Sequence, residues 1–266
     1  MKTATLKMSK AGLCGLLAFG LIQAAHATNL VTDGTFTDAT GVAGNEPNGQ
    51  IGNFTTVVGW TASGGNNAGV GDIGYTFLYQ PGTAYTSGAY GSAGEVYLWG
   101  PGGNGGSVNN GLDAPVPGGG NFVTGSGIYL VPSTLSQTIT GLTVGDTYDV
   151  SFYYAGAQQC GWTGPTTNGW TVSLGGQTEN SPALDTPSEG FTGWQLDTMA
   201  FAATNSTESL SFTAFGFPPS PDLEETSLLA DVSLTQDPTP DAASTALLLG
   251  FSLLALISAS RVAGQN

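Results

Sequence analysis

The chain has 266 residues, 40% of them hydrophobic and only 9% charged, and 42 are Gly. Four Lys+Arg stand against 19 Asp+Glu, a formal net charge of −15. The cations are Lys2, Lys7, Lys10 and Arg261 and the one histidine is His26, so residues 28–236 hold none of these types. That excludes a Ser-His-Asp triad, a Cys-His pair, a His-ligated zinc site, a Schiff-base lysine and the phosphate neutralisation that nucleic-acid binding requires.

Residues 1–27 read as a secretory signal peptide. The three lysines form its basic region, residues 11–22 its apolar region, and Ala25-His26-Ala27 a small-x-small site for signal peptidase, leaving Thr28 first in the mature chain. Residues 28–236 read as many short strands divided by Gly, Pro and Asn. Strands are predicted over residues 29–36, 54–61, 74–79, 95–99 and 122–131. Residues 135–154 then read as a central pair of strands joined by a turn at Gly141 and Gly145. In the second of the pair, Tyr148, Val150, Phe152 and Tyr154 alternate with Thr147, Asp149, Ser151 and Tyr153, the period of a half-buried strand. Further strands are predicted over residues 169–174, 193–203, 208–215 and 227–235. In the last, Leu228, Ala230, Val232 and Leu234 are expected on one face, with Asp231 and Ser233 on the other.

No helical stripe of useful length interrupts this series. About ten antiparallel strands predict an all-β fold, an antiparallel β-sandwich or jelly roll. Residues 100–120 are too long and too rich in Gly, Asn and Pro for a hairpin turn, and are expected as a surface loop. Residues 163–168 and 218–225 are expected as shorter loops.

The chemistry left to such a body is that of carboxylates, hydroxyls, amides and aromatic rings. A glycosidase needs two carboxylates facing one cleft at roughly 5–9 Å, and sequence places no two of these acids together. Sugar binding needs flat rings and polar hydrogen-bonders. Trp60, Trp170 and Trp194 lie in strand patterns and are expected in the core. Trp99 and Trp162 border Gly-rich loops and are the ligand-binding candidates, set against anchoring of those loops. Cys160 is the only mature cysteine, so it is expected buried and inert. Asn53-Phe54-Thr55 and Asn205-Ser206-Thr207 match glycosylation acceptors, with nothing else suggesting a eukaryotic host.

Residues 237–266 form the third unit. The uncharged apolar run 242–260 is about the length that crosses a bilayer core of ~30 Å, and Arg261 after it implies a cytoplasmic C-terminus. Before it comes Thr239-Pro240-Asp241-Ala242-Ala243-Ser244-Thr245. Here the chain resembles bacterial exosortase-sorted (PEP-CTERM) proteins, whose tails combine a Pro-Glu-Pro or Val-Pro-Asp-Ser-Gly motif, an apolar helix and basic residues. Pro240, Asp241, Ser244, Thr245 and Arg261 carry the match. Thr239 stands in for Val and Ala243 for Gly.

The resemblance extends to the body. Asn29-Leu30-Val31-Thr32-Asp33-Gly34-Thr35-Phe36, Gly59-Trp60, Leu135-Ser136-Gln137-Thr138-Ile139, Gly145-Asp146-Thr147-Tyr148 and Leu229-Ala230-Asp231-Val232-Ser233-Leu234 follow in the order met in jelly-roll domains of exosortase-sorted proteins. They are also similar to galactose-binding-like carbohydrate-binding modules. That likeness implies a structural calcium between the N-terminal and final strands, with Asp231 at the final-strand position and Asp33 or Asp38 as partners.

The function implied is a structural or adhesive protein of the cell surface or exopolysaccharide matrix, without catalysis, inserted in the inner membrane by its C-terminal helix, either transiently until a sorting protease acts or permanently as an ordinary anchor. A carbohydrate-binding module for an extracellular glycan is the alternative, and a glycan-cleaving enzyme stands third.

Overall fold

Tyr148, Val150, Phe152 and Tyr154 are buried, while Thr147, Asp149, Ser151 and Tyr153 are partly exposed, so the period-2 alternation does orient this strand. A computed structural model describes residues 28–41, 48–64, 74–92, 94–104, 106–127, 131–217 and 225–237. The described strands are, in chain order, β1 (Ala39–Gly41), β2 (Gly49–Gln50), β3 (Thr55–Val57), β4 (Thr61–Ser63), β5 (Thr76–Tyr79), β6 (Ala89–Gly91), β7 (Gly94–Val96), β8 (Phe122–Gly125), β9 (Thr134–Thr140), β10 (Thr147–Gln158), β11 (Thr166–Leu174), β12 (Gln177–Asn180), β13 (Leu184–Thr186), β14 (Gln195–Ala202), β15 (Thr207–Phe217) and β16 (Glu225–Gln236). The helix among the described residues is a single 3-10 turn at Pro117–Gly119.

An eight-stranded sheet has the order β14-β10-β16-β8-β5-β2-β6-β7, and a six-stranded sheet runs β12-β11-β15-β9-β4 with β13 beside β11. Strands β8, β9, β10, β11, β14, β15 and β16 fall alternately in the two sheets once β12 and β13 are set aside. This crossing back and forth is the connectivity of a jelly roll. The predicted central hairpin is therefore corrected. β9 pairs with β15 and β4, β10 with β14 and β16, and the two never pair with each other. The connection does not turn tightly. It carries buried Leu142 across the sandwich edge, where Gly145 N–H donates to the Ala203 carbonyl at 2.8 Å.

Between the sheets Phe212 of β15 meets Trp60, Phe152 and Trp170 at centroid distances of 6.3, 5.2 and 6.3 Å. Trp170 is fully enclosed, and its Nε1 donates to the Leu228 carbonyl at 3.0 Å, which satisfies the one polar atom of a large apolar ring.

Residues 29–36 form no strand. Asp33 and Phe36 have φ of 46° and 55°, and the Asp33 carboxylate accepts from the Thr37 and Asp38 amides at 2.8 and 3.0 Å. The segment is a turn built on a carboxylate. It still docks, since Leu30 N–H donates to the Leu234 carbonyl and Phe36 is fully buried.

Residues 100–120 are more than a surface loop. Their described part, with residues 80–88 and 97–99, lies over one half of the outer face of the eight-stranded sheet. Ala84, Leu98, Leu112 and Val116 make a second core there with Phe77, Tyr79, Phe122, Ala155, Leu228 and Ala230. Of the shorter predicted loops, Thr166 to Asn168 belong to β11, Glu225 opens β16, and residues 218–224 lie outside the described set.

Candidate functional site

The outer face of the eight-stranded sheet has a covered half and an open half, and a bulge in β16 sets the boundary. Ser151 pairs with Ser233 but Tyr153 pairs with Ala230, so Asp231 and Val232 together oppose Phe152. One extra residue reverses the alternation. Val232 and Leu234 therefore point into the main core, while Leu228 and Ala230 point outward into the second core. The expectation of all four on one face is corrected. Asp231 itself has φ 49°, a left-handed conformation costly for a non-glycine residue.

On the open half, side chains form rows across β14, β10 and β16. The first row is Leu196 and Tyr153, ending at Ala230 under the second core, the next Thr198, Ser151 and Ser233, and the next Ala200, Asp149 and Thr235. Thr198 and Ser151 hydroxyls are 3.3 Å apart. Leu196 is 58% exposed, and Tyr153 and Trp194 are partly exposed against the edge of the second core. Trp194 is held edge-on between Phe122 and Phe191 at 5.8 and 6.0 Å, so its position is rigid. Asp231 lies beside the Pro117–Gly119 turn, where a Cβ on Gly118 would come 2.6 Å from its carboxyl carbon.

The result is a shelf. Two aromatic rings and a leucine adjoin a strip of hydroxyls, with the carboxylates Asp149 and Asp231 at its margins. Such a surface can stack the apolar face of a sugar ring and bond its hydroxyls.

Trp194, expected in the core, is thus on the surface margin, whereas Trp60 and Trp170 are buried as expected. The ligand candidates Trp99 and Trp162 serve a loop. Trp99 Nε1 donates to the Trp162 carbonyl at 2.7 Å, and Asn110 Nδ2 donates to the Trp99 carbonyl at 2.8 Å. The Gly-rich segment crosses the Trp99 ring at Gly106, which has φ 75° and leaves no room for a Cβ. Both indoles remain partly exposed. The sequence signal for the shelf was Tyr153 itself, an aromatic ring on the polar side of an alternating strand.

The three calcium candidates do not gather. Asp33 spends both carboxylate oxygens on the Thr37 and Asp38 amides, and Asp38 follows it in the same turn. Asp231 stands at the bulge. Among the described residues no group of three or more acidic, His or Cys side chains is placed to hold a metal ion. Burial pushes the Asp33 carboxyl up, against the pull of the bonds from Thr37 and Asp38.

Cys160 is partly rather than fully buried, with its sulfur 3.6 Å from the Asn104 carbonyl. Burial pushes its thiol up, the Gly161 amide lowers it and the Glu189 charge raises it, with a net rise. A thiol so held stays protonated and unreactive. Signal residues Ala25 and Ala27 and tail residues Pro240, Asp241, Ser244, Thr245 and Arg261 lie outside the described residues. Among the described residues no helix is long and apolar enough to cross a membrane.

No family model and no curated protein matches the chain. Carbohydrate-binding modules are among its structural neighbours. The module TmCBM61, solved in complex with β-1,4-galactotriose, is 14% identical at a TM-score of 0.34, with 67% of this chain and 88% of that chain covered. A CBM4 structure is 15% identical at 0.30, with 67% and 95% covered. The enzymatically active domain of tailspike protein 4 from Bacteriophage CBA120 is 10% identical at 0.38, covering 79% of this chain. The match spans 21% of that tailspike chain.

Proposed function

We propose that the chain is an exported, non-catalytic β-sandwich that binds extracellular glycan through the shelf at Tyr153, Trp194 and Leu196. The observation that carries this is the divided sheet face, which leaves two aromatic rings partly exposed beside a hydroxyl strip. A body without Lys, Arg or His has neither cations for anionic partners nor the usual nucleophile–base pairs, and retains what neutral sugars need. A glycan array probed with the full chain in mild detergent tests the reading. Binding of at least one glycan class, lost in Tyr153→Ala/Trp194→Ala, is the expected result. An array with no signal sinks it.

The two ends support a cellular address. The signal-like residues 1–27 lead the chain across the inner membrane, the run 242–260 holds it there in transit, and a sorting protease acting near Pro240-Asp241 releases it to the surface or matrix. Mass spectrometry of surface protein decides this. A mature form starting at Thr28 and lacking Arg261 is expected, and one retaining Arg261 makes the tail a simple anchor.

A further inference from the structure

Much of the outer face of the six-stranded sheet is a lattice of hydroxyls, bounded on one side by Phe215 over Gly169 and by Asp185 opposite Thr167. Across β12, β11, β15, β9 and β4 one row reads Asn180, Thr171, Thr213, Thr134 and Ser63. The row beside it reads Thr178, Ser173, Ser211, Ser136 and Thr61. Two shorter rows follow, Ser209 with Thr138 and Thr207 with Thr140. In these rows every outward position but Asn180 is Ser or Thr, and none is charged or aromatic. Neighbouring side chains pair along the first row, with Thr134 and Thr213 hydroxyls 2.9 Å apart and Thr171 donating to Asn180 Oδ1 at 2.7 Å. These bonds orient four side chains of the first row, and each hydroxyl keeps further hydrogen-bonding capacity.

A shallow cavity of about 300 Å³ interrupts this face between β4, β9 and β15, lined by Thr61, Ser136, Thr138 and Ser209 and closed by Thr32 and Gln137. Gln137 is fixed by its bonds with Thr32, accepting from its N–H at 2.7 Å and donating to its carbonyl at 2.8 Å. The cavity depends on Gly59, where a Cβ would come 2.8 Å from Gln137 Nε2.

We propose that this hydroxyl face is a second docking surface, separate from the aromatic shelf, for an extended, uncharged polysaccharide chain lying across the strands. Three observations choose that occupant. First, the four rows are free of charge in a chain of formal charge −15, whose acids repel anionic polymers from the molecule as a whole; the acid of this sheet's outer side, Asp185 opposite Thr167, lies beyond the rows. Second, adjacent hydroxyl columns stand one strand apart, ~4.8 Å, so a row spans about 19 Å over its five strands. An extended pyranose chain advances by about one strand spacing per sugar, so each column meets one sugar. Third, sheet twist turns the rows progressively, which a single flexible polymer follows. Each neutral hydrogen bond is weak against water, so retention accumulates along the chain and falls away for short oligomers.

Co-sedimentation of the full chain in mild detergent with particles of β-1,4-glucan, β-1,3-glucan and β-1,4-mannan, and with alginate gel as the anionic polymer, tests the proposal. At least one neutral polymer should retain the protein and alginate should not. Ser136→Glu/Ser211→Glu places carboxylates in the middle row and should cut retention about tenfold or more, while Ser136→Thr/Ser211→Thr keeps it. Thr138→Glu, at the cavity, repeats the loss on an independent site, with circular dichroism confirming the fold of each variant. Tyr153→Ala/Trp194→Ala should abolish binding of soluble glycan yet leave polymer retention in place, so the two surfaces fail separately. The proposal is overturned if no neutral polymer retains the wild type, if alginate retains it equally, or if folded Glu variants are retained as well as the wild type. It is also overturned if those variants only dissolve a face-to-face dimer.

Discussion

Glu208 shows how one carboxylate holds a turn. Its Oε1 accepts from the Thr204 N–H, the Thr204 hydroxyl and the Asn205 N–H at 2.7, 2.7 and 2.8 Å. Burial raises its pKa, but the Thr204 and Asn205 bonds outweigh burial and the net shift is downward. A folded-state value below the unfolded one stabilises above the ordinary carboxylate range, and that contribution is lost as pH falls through the folded value. Glu208→Gln should therefore cost on the order of 1 kcal/mol near neutral pH. Thermal midpoints of wild type and variant should converge in acid, and a gap that persists unchanged there contradicts the assignment. At the β6–β7 hairpin the Tyr97 hydroxyl donates to exposed Glu95, lowering that carboxyl and holding the phenol up to about 12. Glu95 raises Tyr90 as well, so Glu95→Gln should return two tyrosines toward the ordinary range in a spectrophotometric titration.

At the scale of elements, the β16 bulge and the Gly-rich cover decide what faces water. Asp231→Gly removes a left-handed aspartate while adding chain entropy to the unfolded state, so stability should stay within about 1 kcal/mol. Soluble-glycan binding should nevertheless weaken, because a carboxylate leaves the shelf margin. A large loss of stability would mean that Asp231 serves folding instead. Leu112 is 7% exposed under the cover, and Leu112→Ala should cost about 2–4 kcal/mol and raise binding of a hydrophobic dye. An unchanged melting curve would mean that the cover does not seal the second core. Period-2 alternation made β10 and β15 readable from sequence. It misread the second half of the fold where local geometry overrides it. The bulge adds one residue that no periodicity announces, and the partner of β9 depends on distant β15. The shelf was half legible, since Tyr153 stood out on a polar face, but Trp194 looked like core because its cover was read as plain loop. The hydroxyl lattice was invisible as a unit, because its rows exist only once five strands are in register.

For the whole molecule, two sheets turn different outer surfaces to the exterior. One is a divided face with aromatic rings at its edge, and the other carries four uncharged rows that are almost all Ser and Thr. The lack of cations in the body removes electrostatic steering toward anionic surfaces, so recognition must come from stacking and neutral hydrogen bonds. The most direct test of the central claim is a titration of wild type and Tyr153→Ala/Trp194→Ala with the best soluble glycan from an array, read by calorimetry on the full chain in mild detergent. Saturable binding by the wild type, weakened about tenfold or more in the folded variant, is the predicted result. Equal affinity of the two proteins, or no heat with any glycan, would contradict it.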